Sequence, residues 1–83
     1  MNEMRRILAE WPASIPKQGL MTTSFGEQIP FVGYMLQGDL VLVERKTPDA
    51  QGARRVMMLI DKIQAIKILD AIEMVRFTAM GFQ

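Results

Sequence analysis

The first pattern along the chain has the period of a helix. Met4, Ile7, Leu8 and Trp11 fall at i, i+3, i+4 and i+7, one face of a 3.6-residue repeat. Asn2 is the expected N-cap, and Glu3 suits the first turn, where unpaired N–H groups favour negative charge. Pro12 disfavours helical geometry at Trp11, so the spacing predicts a helix over about 3–10, ending near Glu10. A helix of two turns does not hold by itself in water. This one must pack on something.

Pro12 to Gly19 is a connector with two prolines and a glycine. Beyond it the pattern becomes that of strands. Leu20 to Phe25, Phe31 to Leu36, Leu40 to Arg45, Val56 to Ile60, and a run from Ile63 to about Ile68 predict strands over about 20–68. Thr47 to Gly52 contains Pro48, Asp49 and Gly52, turn chemistry for a hairpin with a loop of moderate length. Pro30 cannot donate to a ladder, so it belongs at a strand start or on an edge. Gly33 and Gly38 call for a bend or bulge, the curvature a small barrel requires. The extension 69–83 admits two readings. Asp70 followed by Glu73 resembles a capping box, and Ile72, Val75, Ala79 and Phe82 are roughly helically spaced. Met74, Arg76 and Thr78 also alternate with Val75, Phe77 and Ala79, residues that include good strand formers. A last strand or a short helix is expected there, with Gly81 ending it.

Two of the strands read apolar on both faces. Leu40 to Val43 and Val56 to Ile60 run without a polar break, whereas an antiparallel sheet with one wet face alternates. At 83 residues the chain is one domain, 1–83, and buries only about 60% of its unfolded surface. The helix covers one face; a second subunit is the expected cover for the rest. A homo-oligomer is therefore predicted, with Val56, Met57, Met58, Leu59 and Ile60 at the interface.

Composition narrows the chemistry. Hydrophobic residues at 49% and charged residues at 23% mark a globular chain. With no Cys and no His there are no disulfides, no thiolate or imidazole metal sites and no imidazole base. Asp39, Asp61 and Asp70 are the only spaced carboxylates to weigh, and they do not have the density of a calcium loop. Phosphate-binding glycine loops and nucleophile elbows are missing. No enzyme, no cofactor and no metal are expected. The longest apolar run, Val56 to Ile60, is far short of the roughly 20 residues of a membrane span. Glu3, Arg5, Arg6 and Glu10 interrupt any signal-peptide core. A cytoplasmic protein without a membrane partner is expected.

Ten basic against nine acidic residues exclude a strongly basic arm, but not a local patch. Arg45, Lys46, Arg54 and Arg55 flank the hairpin loop and would bring four cations to one tip. They are the nucleic-acid candidates, as phosphate contacts. Glu44 and Asp49 partly neutralise them, and a solvated loop base is the plainer reading. Arg5 and Arg6 read as a solvated helix face. Phe31 and Trp11 read as core. Tyr34 reads either as a stacking platform or as a buried ring whose hydroxyl needs a partner.

The stretch from Gly33 to Val43 resembles the first motif of the Sm-like superfamily, which includes the Sm, LSm and Hfq proteins. Gly33, Met35, Asp39 and Leu42 stand in its register, and Leu59 to Ile66 resembles the second motif in its Hfq form. The resemblance spans roughly residues 3–68 and suggests a divergent bacterial- or phage-type member. It implies a small, strongly bent five-stranded antiparallel barrel of SH3 type with an N-terminal α-helix. It also implies a closed ring in which the fourth strand of one subunit joins the fifth of the next. The site residues depart from the family. Where the motif carries a base-stacking residue and a uracil-binding Asn, this chain has Val41 and Val43; near the family's Arg-Gly or Lys-His it has Asp61. With Asp39 these are altered pocket positions. The function expected first is a ring that binds RNA through a basic surface other than the usual uridine pocket; the alternative is an oligomeric scaffold for protein partners without a nucleic-acid role.

Overall fold

In a computed structural model, which describes residues 3–83, the elements follow in the order helix, five strands and a C-terminal helical turn segment. Helix α1 spans Glu3–Ala9; strands β1 to β5 span Gly19–Thr23, Gln28–Gln37, Leu40–Arg45, Arg55–Leu59 and Ile63–Lys67. Two 3₁₀ segments, Ile60–Lys62 and Met74–Met80, complete it. The expected cap Asn2 lies outside the described residues. The helix stops one residue short of the predicted Glu10, whose N–H still donates to the Arg6 carbonyl at 2.9 Å.

The strands form one antiparallel sheet in the order β4-β3-β2-β1-β5. Consecutive strands β4 and β5 therefore occupy opposite edges, yet only Ile60–Lys62 separates them. Five flat strands at about 4.8 Å spacing would hold their outer members roughly 19 Å apart. A three-residue 3₁₀ turn rising about 2 Å per residue does not span that. The sheet must curl until its edges approach. It curls without closing: β4 and β5 share no ladder, so the sheet is open where a closed barrel is expected from the sequence.

Local chemistry explains the curl. Between Phe31 and Gly33 the register of β2 against β3 shifts, which places a bulge at Val32. The bulge breaks the period of two, so Phe31 and Tyr34, three apart, both turn into the core. A second shift, between Thr22 and Thr23 against β5, bends β1. Gly38 and Asp39 make a two-residue hairpin turn with Gly38 at φ 56°, a backbone conformation that glycine adopts without a Cβ penalty. Pro30 stands third in β2, inside a strand with neighbours on both sides, not at its start or on a sheet edge. Its carbonyl accepts from the Lys46 N–H at 2.8 Å, one residue past the end of β3. In extended backbone the N and C=O of one residue point to the same side. The missing N–H of Pro30 thus faces the place where the neighbouring strand has run out.

The concave face holds the core. Rows Tyr34–Val43–Val56 and Leu36–Val41–Met58 cross three strands and join Met21, Ile29, Phe31, Ile60 and Ile63. Helix α1 lies over this face through Leu8, with Met4 packed beside it. The Tyr34 hydroxyl donates to the Leu8 carbonyl at 2.7 Å, pinning the helix end to the sheet. Burial pushes that phenol well above its ordinary ionisation range. Trp11 meets Tyr34 edge-on at 6.1 Å between ring centroids and donates to the Ile15 carbonyl at 2.9 Å. Ile15, in the proline-rich connector, is itself buried.

The C-terminal segment is helical rather than a strand, and it ends at Gly81. No capping box forms: the Asp70 carboxylate accepts from Gln18, and Glu73 makes no side-chain cap. Arg6 donates to the Met80 carbonyl, and Arg76 to the Ser14 carbonyl, so cations tie the segment to the helix and the connector. Among the described residues no helix is long and apolar enough to cross a membrane.

Candidate interaction surface

The alternation that fills the concave face fixes what the convex face presents. Across β2, β3 and β4 the outward rows are Gly33–Glu44–Arg55, Met35–Leu42–Met57 and Gln37–Leu40–Leu59. Two of these rows are almost wholly apolar. Met35 and Met57 are 71% and 68% exposed, and Leu59 and Leu40 are exposed as well. The apolar rows reach the sheet edge, because β4 has no neighbour on its far side. An unpaired edge strand offers free N–H and C=O groups, and exposed apolar residues beside it have no cover.

The run from Val56 to Ile60, expected as a subunit interface, is divided by this geometry. Met57 and Leu59 face outward. Met58 and Ile60 are buried in the core, and Val56 packs against it. Ile60 has also left the strand and begins the 3₁₀ turn. Only two of these five side chains are available to a partner.

The four candidate cations lie around the base of one hairpin, where the Arg45 N–H donates to the Arg54 carbonyl at 2.9 Å, but their side chains differ in environment. Arg55 pairs with Glu44 at 3.6 Å, directly opposite it in the ladder. Arg45 sits in register with Phe31 and is half-buried; its Nε donates to the Thr47 carbonyl at 2.9 Å. Its Nη1 is buried without a partner among the described residues. Lys46 and Arg54 are exposed. Lys46 lines a shallow recess with Gln18, Val32 and Leu69, whereas Arg55 lines another with Tyr34, Met35 and Leu42. The Asp49 carboxylate accepts from the N–H groups of Ala53 at 2.8 Å and Gln51 at 2.9 Å, which shapes the loop between the strands.

Those loop bonds make a pH test. The Ala53 N–H, helped by Gln51 and by nearby Arg45, holds the Asp49 carboxyl below its ordinary range. A depressed folded value means the contribution is complete above the unfolded pKa of about 3.9 and is lost as pH falls through the folded one. The amide resonances of Gln51 and Ala53 should titrate together, with a midpoint below 3.9. A midpoint at or above it would mean the carboxylate does not accept these bonds.

The altered pocket positions fall elsewhere than a surface cleft. Val41 and Val43 are fully buried in β3, so neither faces a ligand. Asp39 is exposed in the turn; its backbone carbonyl, rather than its carboxylate, makes the link, accepting from the Ile60 N–H at 2.8 Å. Asp61 is exposed in the 3₁₀ turn between β4 and β5. Asp39, Asp61 and Asp70 do not converge, and among the described residues no three metal-ligating side chains come together. Arg5 and Arg6, read as a solvated face, have structural contacts: Arg5 donates to the Gly38 carbonyl at 3.1 Å, and Arg6 pairs with Glu3 at 3.0 Å. Comparison with protein-family models, curated proteins and solved structures finds no match to this chain.

Proposed function

We propose that this chain is a self-assembling scaffold of Sm-like type that binds protein partners and carries no catalytic site. The observation that carries the reading is the pair of exposed apolar rows ending at the unpaired strand β4. Joining β4 of one subunit to the free edge β5 of the next would extend the backbone ladder and cover Met57 and Leu59. Repeated around, the same contact closes a ring. Protein partners of two of the cations support the scaffold over an RNA-binding ring: Arg55 faces Glu44 at 3.6 Å, and the Arg45 Nε donates to the Thr47 carbonyl at 2.9 Å.

A second reading rests on Lys46 and Arg54, which are exposed and have no side-chain partner among the described residues. In a ring they would recur once per subunit. RNA held by them would bind through phosphates, indifferent to sequence and falling steeply with salt. Val41 and Val43 are buried, and neither can read a base.

Light scattering after gel filtration, paired with oligouridine binding at two salt concentrations, tests both. The scaffold predicts a mass several times 9.4 kDa and no RNA retention even at low salt. Salt-sensitive retention that Lys46→Ala plus Arg54→Ala abolishes would favour the RNA ring. A monodisperse monomer at micromolar protein would end the assembly proposal.

A further inference from the structure

The recess beside Lys46 has a charge pattern of its own. One end of the sheet builds it, and the strand order β3-β2-β1-β5 sets its residues out in a line. Lys46 follows β3, Val32 is the bulged residue of β2, Gln18 precedes β1, and Leu69 and Asp70 follow β5. The registers Phe31–Arg45, Gly19–Phe31 and Leu20–Lys67 keep all of them at that end. Across the sheet the line therefore runs from cation through apolar, amide and apolar groups to anion. Val32 and Leu69 are both exposed.

The two charges are held in place from below. Gln18 Nε2 donates to both Asp70 carboxylate oxygens, at 3.3 and 3.2 Å. The Lys46 backbone N–H donates to the Pro30 carbonyl at 2.8 Å, and its ammonium has no side-chain partner among the described residues. Lys46 and Asp70 make no ion pair with each other across the recess.

We propose that this recess is a two-fold interface between copies of the chain. A line of groups whose charge changes sign from end to end matches itself after half a turn, as an isologous contact requires. A half turn about the point between β2 and β1 sets Val32 against the partner's Leu69 and Lys46 against the partner's Asp70. Symmetry then repeats both contacts. A patch of a single sign would repel its own copy, whereas here each ammonium meets a carboxylate. The apolar centre sheds water, and the charged rim fixes the orientation. The recess lies away from the outer edge of β4, so this contact forms whether or not that edge joins copies.

The test uses the full chain with Lys46→Glu and Asp70→Lys as separate variants, each checked for its fold by circular dichroism. Light scattering over a concentration series reads self-association. Each variant alone sets like charges opposite one another twice, so the concentration needed for association should rise at least about tenfold. An equimolar mixture of the two should associate as the parent does, because both crossings of the mixed pair again join a carboxylate to an ammonium. That rescue separates a contact between copies from a local change at Gln18. Single variants that associate like the parent overturn this inference. So does a mixture that associates no better than either variant alone. A parent protein that is monomeric at every concentration overturns both this contact and the edge contact. If Met57→Lys keeps its mass while Lys46→Glu loses it, the edge contact falls and this one stands.

Discussion

Lysine at Met57 is expected to give a folded protein of reduced assembly mass, whereas lysine at Met58 is expected to give no folded protein. The two residues are neighbours on β4 but face opposite sides of the sheet. Met57 is 68% exposed and stands at the sheet edge, so a lysine there is solvated and changes subunit stability by only about 0.5 kcal/mol or less. It does place a charge on the edge, which opposes strand addition. Met58 sits against Val41 in the core with 8% exposure. An ammonium there loses its water and gains no partner, at a cost of several kcal/mol. A domain of this size has roughly 4–12 kcal/mol in total. Leu59→Lys should follow Met57 and Ile60→Lys should follow Met58. Circular dichroism and light scattering on the four variants check the pattern. Full assembly mass in Met57→Lys would remove β4 from the interface.

Gly19→Ala should be the most damaging single methyl in the chain. A Cβ at Gly19 would overlap the Lys67 carbonyl oxygen, which is backbone of the paired strand β5 and has no rotamer to retreat into. The Phe31 ring would also stand 3.5 Å from that Cβ. The residue also holds φ 156°, which L side chains rarely adopt. Overpacking of about 1–3 kcal/mol and backbone strain of similar size act together. In a domain this small each kcal/mol lowers the melting temperature by roughly 4–8 °C. A loss on the order of 15 °C is expected in a thermal melt. Gly38→Ala is the matched control: a Cβ there meets nothing within 4 Å, so only the strain of its positive φ, about 1–2 kcal/mol, remains. Equal losses in the two variants would mean that the close approach of β1 to β5 is not what demands glycine.

Why some of this was legible follows from which signals are local. The runs Leu40 to Arg45 and Val56 to Leu59 announce strands because apolar β formers sit between turn residues, and both strands form there. Their double-faced apolar character also has a direct structural counterpart: one face fills the core and the other is bare. The early part of β2 is harder to read. A strand read from Phe31, with Pro30 at its start or on an edge, leaves out Gln28 and Ile29, and only the end of β3 beside Pro30 makes a proline tolerable inside the strand. The shared face of Phe31 and Tyr34 depends on a bulge that no period of two can show. Ile15 sits among residues with loop chemistry, and its burial depends on Pro12 to Lys17 folding back over the core.

The candidate site divides the same way. Four cations around one loop are visible in the sequence, but their partners are not. That Glu44 faces Arg55 depends on the cross-strand register, which the loop length alone leaves open. Val41 and Val43 take their pocket meaning from motif alignment. Their burial follows instead from β3 beginning at Leu40, immediately after a two-residue turn, which sets the alternation inward at 41 and 43.

The link between β4 and β5 has a last consequence, for shape beyond the single chain. Ile60–Lys62 is a tether: together with the bulges that curl β1 and β2, this one short turn sets the gap and the tilt between the two edges of the sheet. Wherever copies are joined edge to edge, that tilt is the rotation from each copy to the next, and so the number that completes a circle. Residues inserted in the loop around Asp49 leave this angle untouched. A single residue inserted between Leu59 and Ile63 resets it.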